Sequence, residues 1–455
     1  MPFIDHNEWA NKATGGNAAL VDIEDGRDLS PTFKVFVIDD GEEIELKRNI
    51  TDHIMGIEIE LTSNLVSKCT IEIENRGGAF SDSGVFAPGT DLDIYLGYGD
   101  FTKKIGRWEV IRFLPQFSES GIETLTIEGY DLAHRMITRK TEVVGGDAKK
   151  PKKGKEGGKQ WGNDKNPLTI GDIVEEIAAR YGAKAHVDDA TKDIEEAFVQ
   201  KKGTSDFEVL MNLVRIHGLD FWVNHDSFPG AGWVVHMTDA AMTVRSATQY
   251  TFTYGGPQAT MLSCELEFGL PDTPSEVKAW VWDPNGNNNS GDWAEIFEEE
   301  TKEGKKQKKQ FKKGYFSEYW NADEITEDPD DSDQEVSMTK FRLAVGGYAV
   351  DVLTKPFKDQ KTAKQYLARW FNERKNSFIS AKVRLPGVET LNVGQKHQLA
   401  GIGRRFTGTY FISDVFHSFD ENGFVTEFQA RKVVEPVPSD VSELIDAGPF
   451  PKANQ

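Results

Sequence analysis

Two cysteines in 455 residues, Cys69 and Cys264, are too few and too far apart for a disulfide framework. Each lies in an apolar, strand-like stretch, so both are expected as core thiols of a chain folded in a reducing compartment. No apolar run approaches the ~20 residues of a membrane-spanning helix. The opening Met1-Pro2-Phe3-Ile4-Asp5-His6 lacks the basic-then-apolar pattern of a signal peptide, which points to synthesis in the cytoplasm and no membrane insertion. Basic charge is in deficit: 53 Lys and Arg stand against 74 Asp and Glu, a formal net charge of −21. A surface that grips nucleic acid needs clustered Lys and Arg in excess, so DNA is expected to slide past this protein rather than bind it.

Catalytic and metal signatures are also missing. The nine histidines show no His-Glu-x-x-His spacing, and two cysteines alone cannot build a structural zinc site. The acidic run from Asp328 to Asp333 lacks the glycine and the glutamate of a calcium loop. Gly401-Ile402-Gly403 is not a dinucleotide turn, because Phe406 stands where a third glycine belongs and no helix follows. His417, between Phe416 and Ser418 in an alternating strand, reads as a packing or hydrogen-bonding histidine. No catalytic residue, cofactor or metal ligand is assigned.

With 38% hydrophobic and 28% charged residues, the chain reads as several globular modules of ~100 to 200 residues. An N-terminal arm (1–30) precedes a segment, 31–145, dominated by period-two alternation: Phe33 to Val37, Ile57 to Leu61, and Thr70 to Glu74. It closes with a long hairpin, Trp108 to Phe117 and Ile122 to Gly129 about a turn at Ser118 to Gly121, and reads as a small antiparallel β-barrel. Residues 146–166, rich in Gly and Lys (Lys149, Lys150, Lys152, Lys153, Lys155, Lys159), read as a mobile loop. Residues 167–250 form a small α+β module. Thr169 caps a helix carrying Ile170, Ile173, Val174, Ile177 and Ala178 on one face; Ser205 and Glu208 form a capping box for a second, which Gly218 stops before strands at Phe221 to Val223 and Trp233 to Val235. From 251 to 435 strands return around a charged insertion at 287–335, expected to be exposed and partly disordered. A helix is expected with Ala363, Tyr366, Leu367, Trp370 and Phe371 on one face. A Pro-rich tail, 436–455, ends the chain.

The first and last β segments share a layout. Gly106 precedes an apolar arm ending at Phe117, with Gly121 fifteen residues after Gly106; Gly408 precedes an arm ending at Phe419, with Gly423 again fifteen residues on. Upstream, Gly89 opens a strand with Ile94 five residues later, as Gly394 opens one with Leu399 five later. These six glycines are read as structural turn glycines, since tight turns between strands need φ > 0. Two similar barrels per chain would let three chains present six similar units in a ring, matching a hexamer.

At Leu391-Asn392-Val393-Gly394, Phe406 to Ile412, Val415-Phe416-His417 and Gly423 to Phe428, together with Gly121 to Asp131 and the helix pair, the chain resembles the late control protein D family. These are the central baseplate hubs of contractile-tailed phages, related to the N-terminal part of type VI secretion spike proteins. The resemblance implies a mainly β (α+β overall) fold with two tube-type antiparallel β-barrel domains flanking the α+β module. It implies a homotrimer in the virion tail baseplate, assembled in the host cytoplasm, between the tail tube protein and the central spike protein. The channel would pass the tape measure protein and DNA, and other baseplate (wedge) proteins would border it. Pro436, Val437, Pro438, Phe450 and Pro451 are candidates for docking onto a neighbour. Because a glycosidase pair is defined by spatial separation, a tail-associated cell-wall hydrolase or a carbohydrate-binding β protein stays open as the alternative.

Overall fold

The structure, a computed structural model, describes residues 30–118, 123–139, 158–163, 165–189, 191–226, 232–239, 250–256, 259–268, 379–403 and 406–432, and three strands between 276 and 357. The chain divides into two compact units, one of residues 1–267 with 379–433 and one of residues 268–378 with 434–455.

In the first unit the opening segment forms β1 (Pro31–Asp39), β2 (Glu42–Glu45), β3 (Ile54–Thr62), β4 (Lys68–Glu74), β5 (Asp91–Tyr98), β6 (Phe101–Gln116) and β7 (Thr124–Tyr130), followed by the short helix α1 (Ala133–Thr138). Strict alternation decides which face is buried. Ile57, Ile59 and Leu61, then Cys69, Ile71 and Ile73, then Leu125 and Ile127 point into the core, while Glu58, Glu60 and Glu72 face solvent.

The module between the β segments contains β8 (Gly158–Trp161), β9 (Leu168–Thr169), α2 (Ile170–Arg180), β10 (Lys184–Val187), β11 (Glu195–Glu196), β12 (Phe198–Lys201), α3 (Asp206–His217), β13 (Asp220–Asp226) and β14 (Gly232–Thr238). Both main helices begin at full capping boxes, Thr169 with Asp172 and Ser205 with Glu208. In each, the hydroxyl accepts the N3 amide at 3.1 Å. Replacing Ser205 by alanine orphans the Glu208 amide and is expected to lower the unfolding free energy by about 1 kcal/mol, read as a lower urea midpoint at unchanged m-value. The helices' apolar faces pack with Phe221, Val223, Val235 and Met237 in one core.

Here the structure corrects the end of the segment read as a mobile loop, 146–166; its residues 146–157 and 164 lie outside the described residues. Residues 158–161 form β8 against β12, and Trp161 is fully buried. Its indole N–H donates to Gln200 Oε1 at 3.0 Å, and the Lys159 ammonium lies 3.4 Å from the ring centroid. A buried tryptophan anchors a segment whose composition alone looks like linker.

After the module come β15 (Thr251–Thr253) and β16 (Ser263–Phe268). The second unit holds β17 (Glu276–Val281), with β18 (Phe316–Asn321) antiparallel on one side and β19 (Val350–Phe357) parallel on the other. Part of the 287–335 insertion is therefore strand: its Phe-Ser-Glu-Tyr-Trp-Asn stretch satisfies β pairing despite the charge runs around it. The acidic run and the helix expected around 363–371 lie outside the described residues. The first unit resumes with β20 (Ile379–Pro386), β21 (Lys396–Ala400), β22 (Gly408–Asp420) and β23 (Gly423–Lys432).

The protein is mainly β, and its strand order contains a duplication. In the first segment the hydrogen-bonded order is β3-β4-β7-β6-β5-β1; in the last it is β16-β20-β23-β22-β21-β15. Numbered within each set, both read 2-3-6-5-4-1. One pairing differs, since β1 runs antiparallel to β5 whereas β15 runs parallel to β21. The two sets are not separate sheets: β22 pairs with β3, joining them into one 13-stranded sheet.

Candidate functional site

The join between the two strand sets is the feature around which the rest is arranged. β22 divides its outer edge between two partners. Lys396 to Leu399 of β21 pair with its first residues, Gly408 to Phe411, and Ile57 to Thr62 of β3 pair with Phe419 back to Asp414. Apolar contacts close the join at one end. Phe33 packs edge-on against Phe419 with ring centroids 5.0 Å apart, and Tyr98 lies 5.8 Å from Phe424. The Tyr98 hydroxyl donates to the Gly387 carbonyl at 3.2 Å. At the other end the Ser63 amide donates to Ser413 O at 2.9 Å.

The solvent face of this joined sheet is acidic. Lys68 and Arg112 both bind Glu128, at 2.8 Å for Lys68, while Lys382 and Arg384 lie 3.8 and 3.3 Å from Glu427. Hydrogen bonds from Arg112 and then Lys68 hold the Glu128 carboxyl below its ordinary pKa. With those four cations engaged, Glu58, Glu60 and Glu72 stand exposed with no ion pair among the described residues. A surface of this kind repels polyanions.

The α+β module packs against the second strand set through Trp222, which lies against Gly394 and stacks on His236 at 4.8 Å. It reaches the first set through Asn64, whose amide donates to Phe221 O at 2.6 Å and whose side chain accepts the Phe221 amide at 2.9 Å. Arg431 of β23 binds the buried Asp220.

Of the six glycines, Gly89, Gly394, Gly408 and Gly423 adopt positive φ of 92°, 83°, 148° and 115°. Gly106 does not; it lies inside β6 opposite Ile94, beside a bulge, and a Cβ there would come within 3.0 Å of the Trp108 ring. Its reason is room for Trp108, which Gly129 cradles from the neighbouring strand. Gly121 and the tail residues Pro436, Val437, Pro438, Phe450 and Pro451 lie outside the described residues. Cys69 is buried, but Cys264 is half-exposed, on a strand that among the described residues has a neighbour on one side only. His417 accepts or donates a hydrogen bond with Thr426 Oγ1 at 3.0 Å. The residues that form the join, Phe33, Tyr98, Phe419 and Phe424, carried one sequence signal, the equal spacing that placed Phe117 and Phe419 at matching arm ends.

A groove of about 390 Å³ at the end of β3 and β4 is lined by His53, Glu74, Arg76, Phe80 and Ser83 among others. It offers a single carboxylate. Glu74 is held between Arg76 at 2.7 Å and His53 at 3.4 Å, and those hydrogen bonds, Arg76's foremost, lower its pKa. A glycosidase needs two carboxyls and an acid with raised pKa, so this groove does not fit that chemistry. Among the described residues no group of His, Cys, Asp and Glu is arranged to hold a metal ion, and no helix is long and apolar enough to cross a membrane.

The fold is that of phage tail proteins. The tail protein from Neisseria meningitidis MC58 superposes with a TM-score of 0.56 at 11% identity, over 88% of this chain and 96% of that one. The 43 kDa tail protein of prophage MuSo2 from Shewanella oneidensis gives 0.55 at 13% identity, over 89% and 99%. By sequence, a family model described as the Alg8 N-terminal domain matches residues 168–421, more than half of the chain, and the chain belongs to that family. The matched stretch runs from β9 through the end of β22. No curated protein matches the sequence.

Proposed function

We propose that this chain is the structural hub of a phage-type tail baseplate, of the late control protein D kind. Three copies would close a ring of six similar β units that joins the hexameric tail tube to the trimeric spike, with the tape measure protein and DNA passing through. The observation that carries the reading is the duplicated strand order, 2-3-6-5-4-1 in both sets, with the two sets side by side in one sheet. A chain built from two like units is suited to meet sixfold symmetry on one face and threefold on the other. The carboxylates Glu58, Glu60 and Glu72, which have no ion pair among the described residues, suit a bore that lets DNA pass without holding it. The 436–455 tail would dock on a neighbour, and the 287–335 insertion would face wedge proteins.

The test is the mass of the purified protein by light scattering after gel filtration, alone and with its spike partner. A trimer, or a three-to-three complex with the spike, is expected. A monomer indifferent to the spike would overturn the hub reading.

A further inference from the structure

We infer that the α+β module parts from the second strand set as an intact body, and that a charge on Lys396 drives the two apart. The inference goes beyond the hub reading and does not depend on it.

The module's sheet, in the order β10-β14-β13, has two unlike faces. Alternation sends Ala185, Val187, Phe221, Val223, Val235 and Met237 to the side where α2 and α3 pack, in the module's own apolar core. The opposite face carries His186, Asp220, Trp222, His236 and Thr238 beside Val234, none of them more than 2% exposed. Register sets His186, His236 and Trp222 in one row across the strands and Thr238 with Asp220 in the next. Asp188 and Asp239 follow the ends of β10 and β14, and the Asp188 carboxylate accepts the Asp239 amide.

The second strand set meets that face with a row of its own. Lys396 of β21, Phe411 of β22 and Arg431 of β23 are successive cross-strand partners, so their side chains share one side of the sheet. Arg431 binds Asp220, and its guanidinium lies 5.1 Å from the centre of the Phe411 ring. Trp222 covers Gly394. Two largely polar faces are thus buried against each other, and their match is incomplete. The Lys396 ammonium, the Trp222 indole N–H, the Thr238 hydroxyl and Arg431 Nε are buried without a hydrogen-bond partner. Each gave up water on docking with no bond in exchange, and parting restores its hydration. A polar interface of this kind, between bodies with separate apolar cores, opens at a lower free energy than either core does. The module stays tethered meanwhile, because Asn64 of the first set donates its amide to Phe221 O and accepts the Phe221 amide.

Lys396 makes the parting depend on protons. The residue is 4% exposed, and burial, the largest influence, lowers its pKa to about 7. Asp239 opposes that shift, Arg431 adds to it, and Asp188 and Asp220 oppose it more weakly. His186 and His236, whose Nδ1 atoms lie 3.0 Å apart, share the facing side, but ordinary histidines titrate lower, near ~6.5. A lysine that is depressed when docked and ordinary when parted binds more protons in the parted state. Docking therefore strengthens as pH rises from about 7 toward the ordinary lysine value of ~10.4, and is weakest below that interval.

The experiment uses the full chain in a Cys264→Ser background carrying Thr238→Cys. Its reaction with dithiodipyridine, a neutral thiol reagent, is followed between about pH 7 and 9, each rate divided by that of the urea-unfolded protein at the same pH. Cys69, 2% exposed in the core of the first strand set, reports global opening in the same molecule. At pH 7 the introduced thiol is expected to react at least about a hundredfold faster than Cys69, the sign of a local opening. Its normalised rate should fall about tenfold by pH 9. Lys396→Met, or Lys396→Gln if the first variant speeds Cys69 and so proves misfolded, should slow the introduced thiol at pH 7 about tenfold and flatten its pH profile. Equal normalised rates for the two thiols would show that the module leaves only when the whole unit unfolds, and the inference would fall. A fast introduced thiol whose pH profile survives the loss of Lys396 would keep the parting and overturn the role of the lysine.

Discussion

Replacing Asp93 by alanine is expected to cost about 3 to 5 kcal/mol of stability, the usual penalty for removing one partner of a buried ion pair. Asp93 is wholly buried in the middle of β5 and is gripped from β6. Arg107 donates through Nε and Nη2 to its two oxygens at 2.7 and 2.6 Å, and Lys104 binds one of them as well. The Lys104 side chain is only 2% exposed. Without Asp93, the two cations face each other out of water. The remaining carboxylate within reach is Glu43, at 3.7 and 3.9 Å and well exposed. Burial alone would raise the Asp93 pKa, but the hydrogen bonds from Arg107 and Lys104 outweigh it and hold the group below its ordinary value. Its contribution to stability is therefore complete above the unfolded pKa of ~3.9 and is lost as pH falls through the lower folded value. Urea midpoints between about pH 2.5 and 7 should fall at the acid end for the parent protein. The Asp93→Ala protein should start low and show a shallower acid decline. Equal slopes would mean that Asp93 is not the group responsible. The same cations reach His225 of β13, whose pKa is lowered to about 3 by burial first and by Lys104 and Arg107 next. The cluster thus lies where the module meets the first strand set.

What the sequence makes legible here is what is local. Alternation marks β3 and β4 because every second side chain must choose core or solvent, and the capping boxes mark α2 and α3 because a helix start needs acceptors for its free amides. The matching glycine and phenylalanine intervals expose the duplication, since a repeated chain path repeats its turns. The pairing of β22 with β3 is not legible. It joins positions more than three hundred residues apart, and neither strand's pattern of apolar and polar residues specifies which alternating strand will lie beside it. Gly106 misleads for a related reason: a glycine needed for φ > 0 and one needed to make room are the same letter. Only Trp108, two residues on and therefore on the same face of the strand, hints at the second need. Asp93 is concealed in the same way, because one inward aspartate among Leu92, Ile94 and Leu96 reads as a solvent position until Lys104 and Arg107 are seen across the hairpin.

Gly394 carries both glycine needs at one residue, and Gly394→Val should be among the costliest single changes in the second strand set. Its φ of +83° is a conformation that L residues, and β-branched ones above all, adopt only with strain of about 1 to 2 kcal/mol. A Cβ would also lie 2.2 Å from Trp222 Cζ2. The indole cannot retreat without loss, being 2% exposed and stacked on His236 with planes 4° apart. Overpacking of this kind adds about 1 to 3 kcal/mol, so a loss of about 2 to 5 kcal/mol is expected in urea unfolding. Gly403 supplies the control. Its φ is +86°, but nothing lies within 4 Å of a Cβ there, so Gly403→Ala should show the strain alone. A second control removes the obstacle. In a Trp222→Ala background the Gly394→Ala change should cost less than in the parent protein by at least about 1 kcal/mol, because the pair shares one steric conflict. Strictly additive losses would show that the module does not seat its tryptophan on this turn, and that backbone strain alone keeps glycine at position 394.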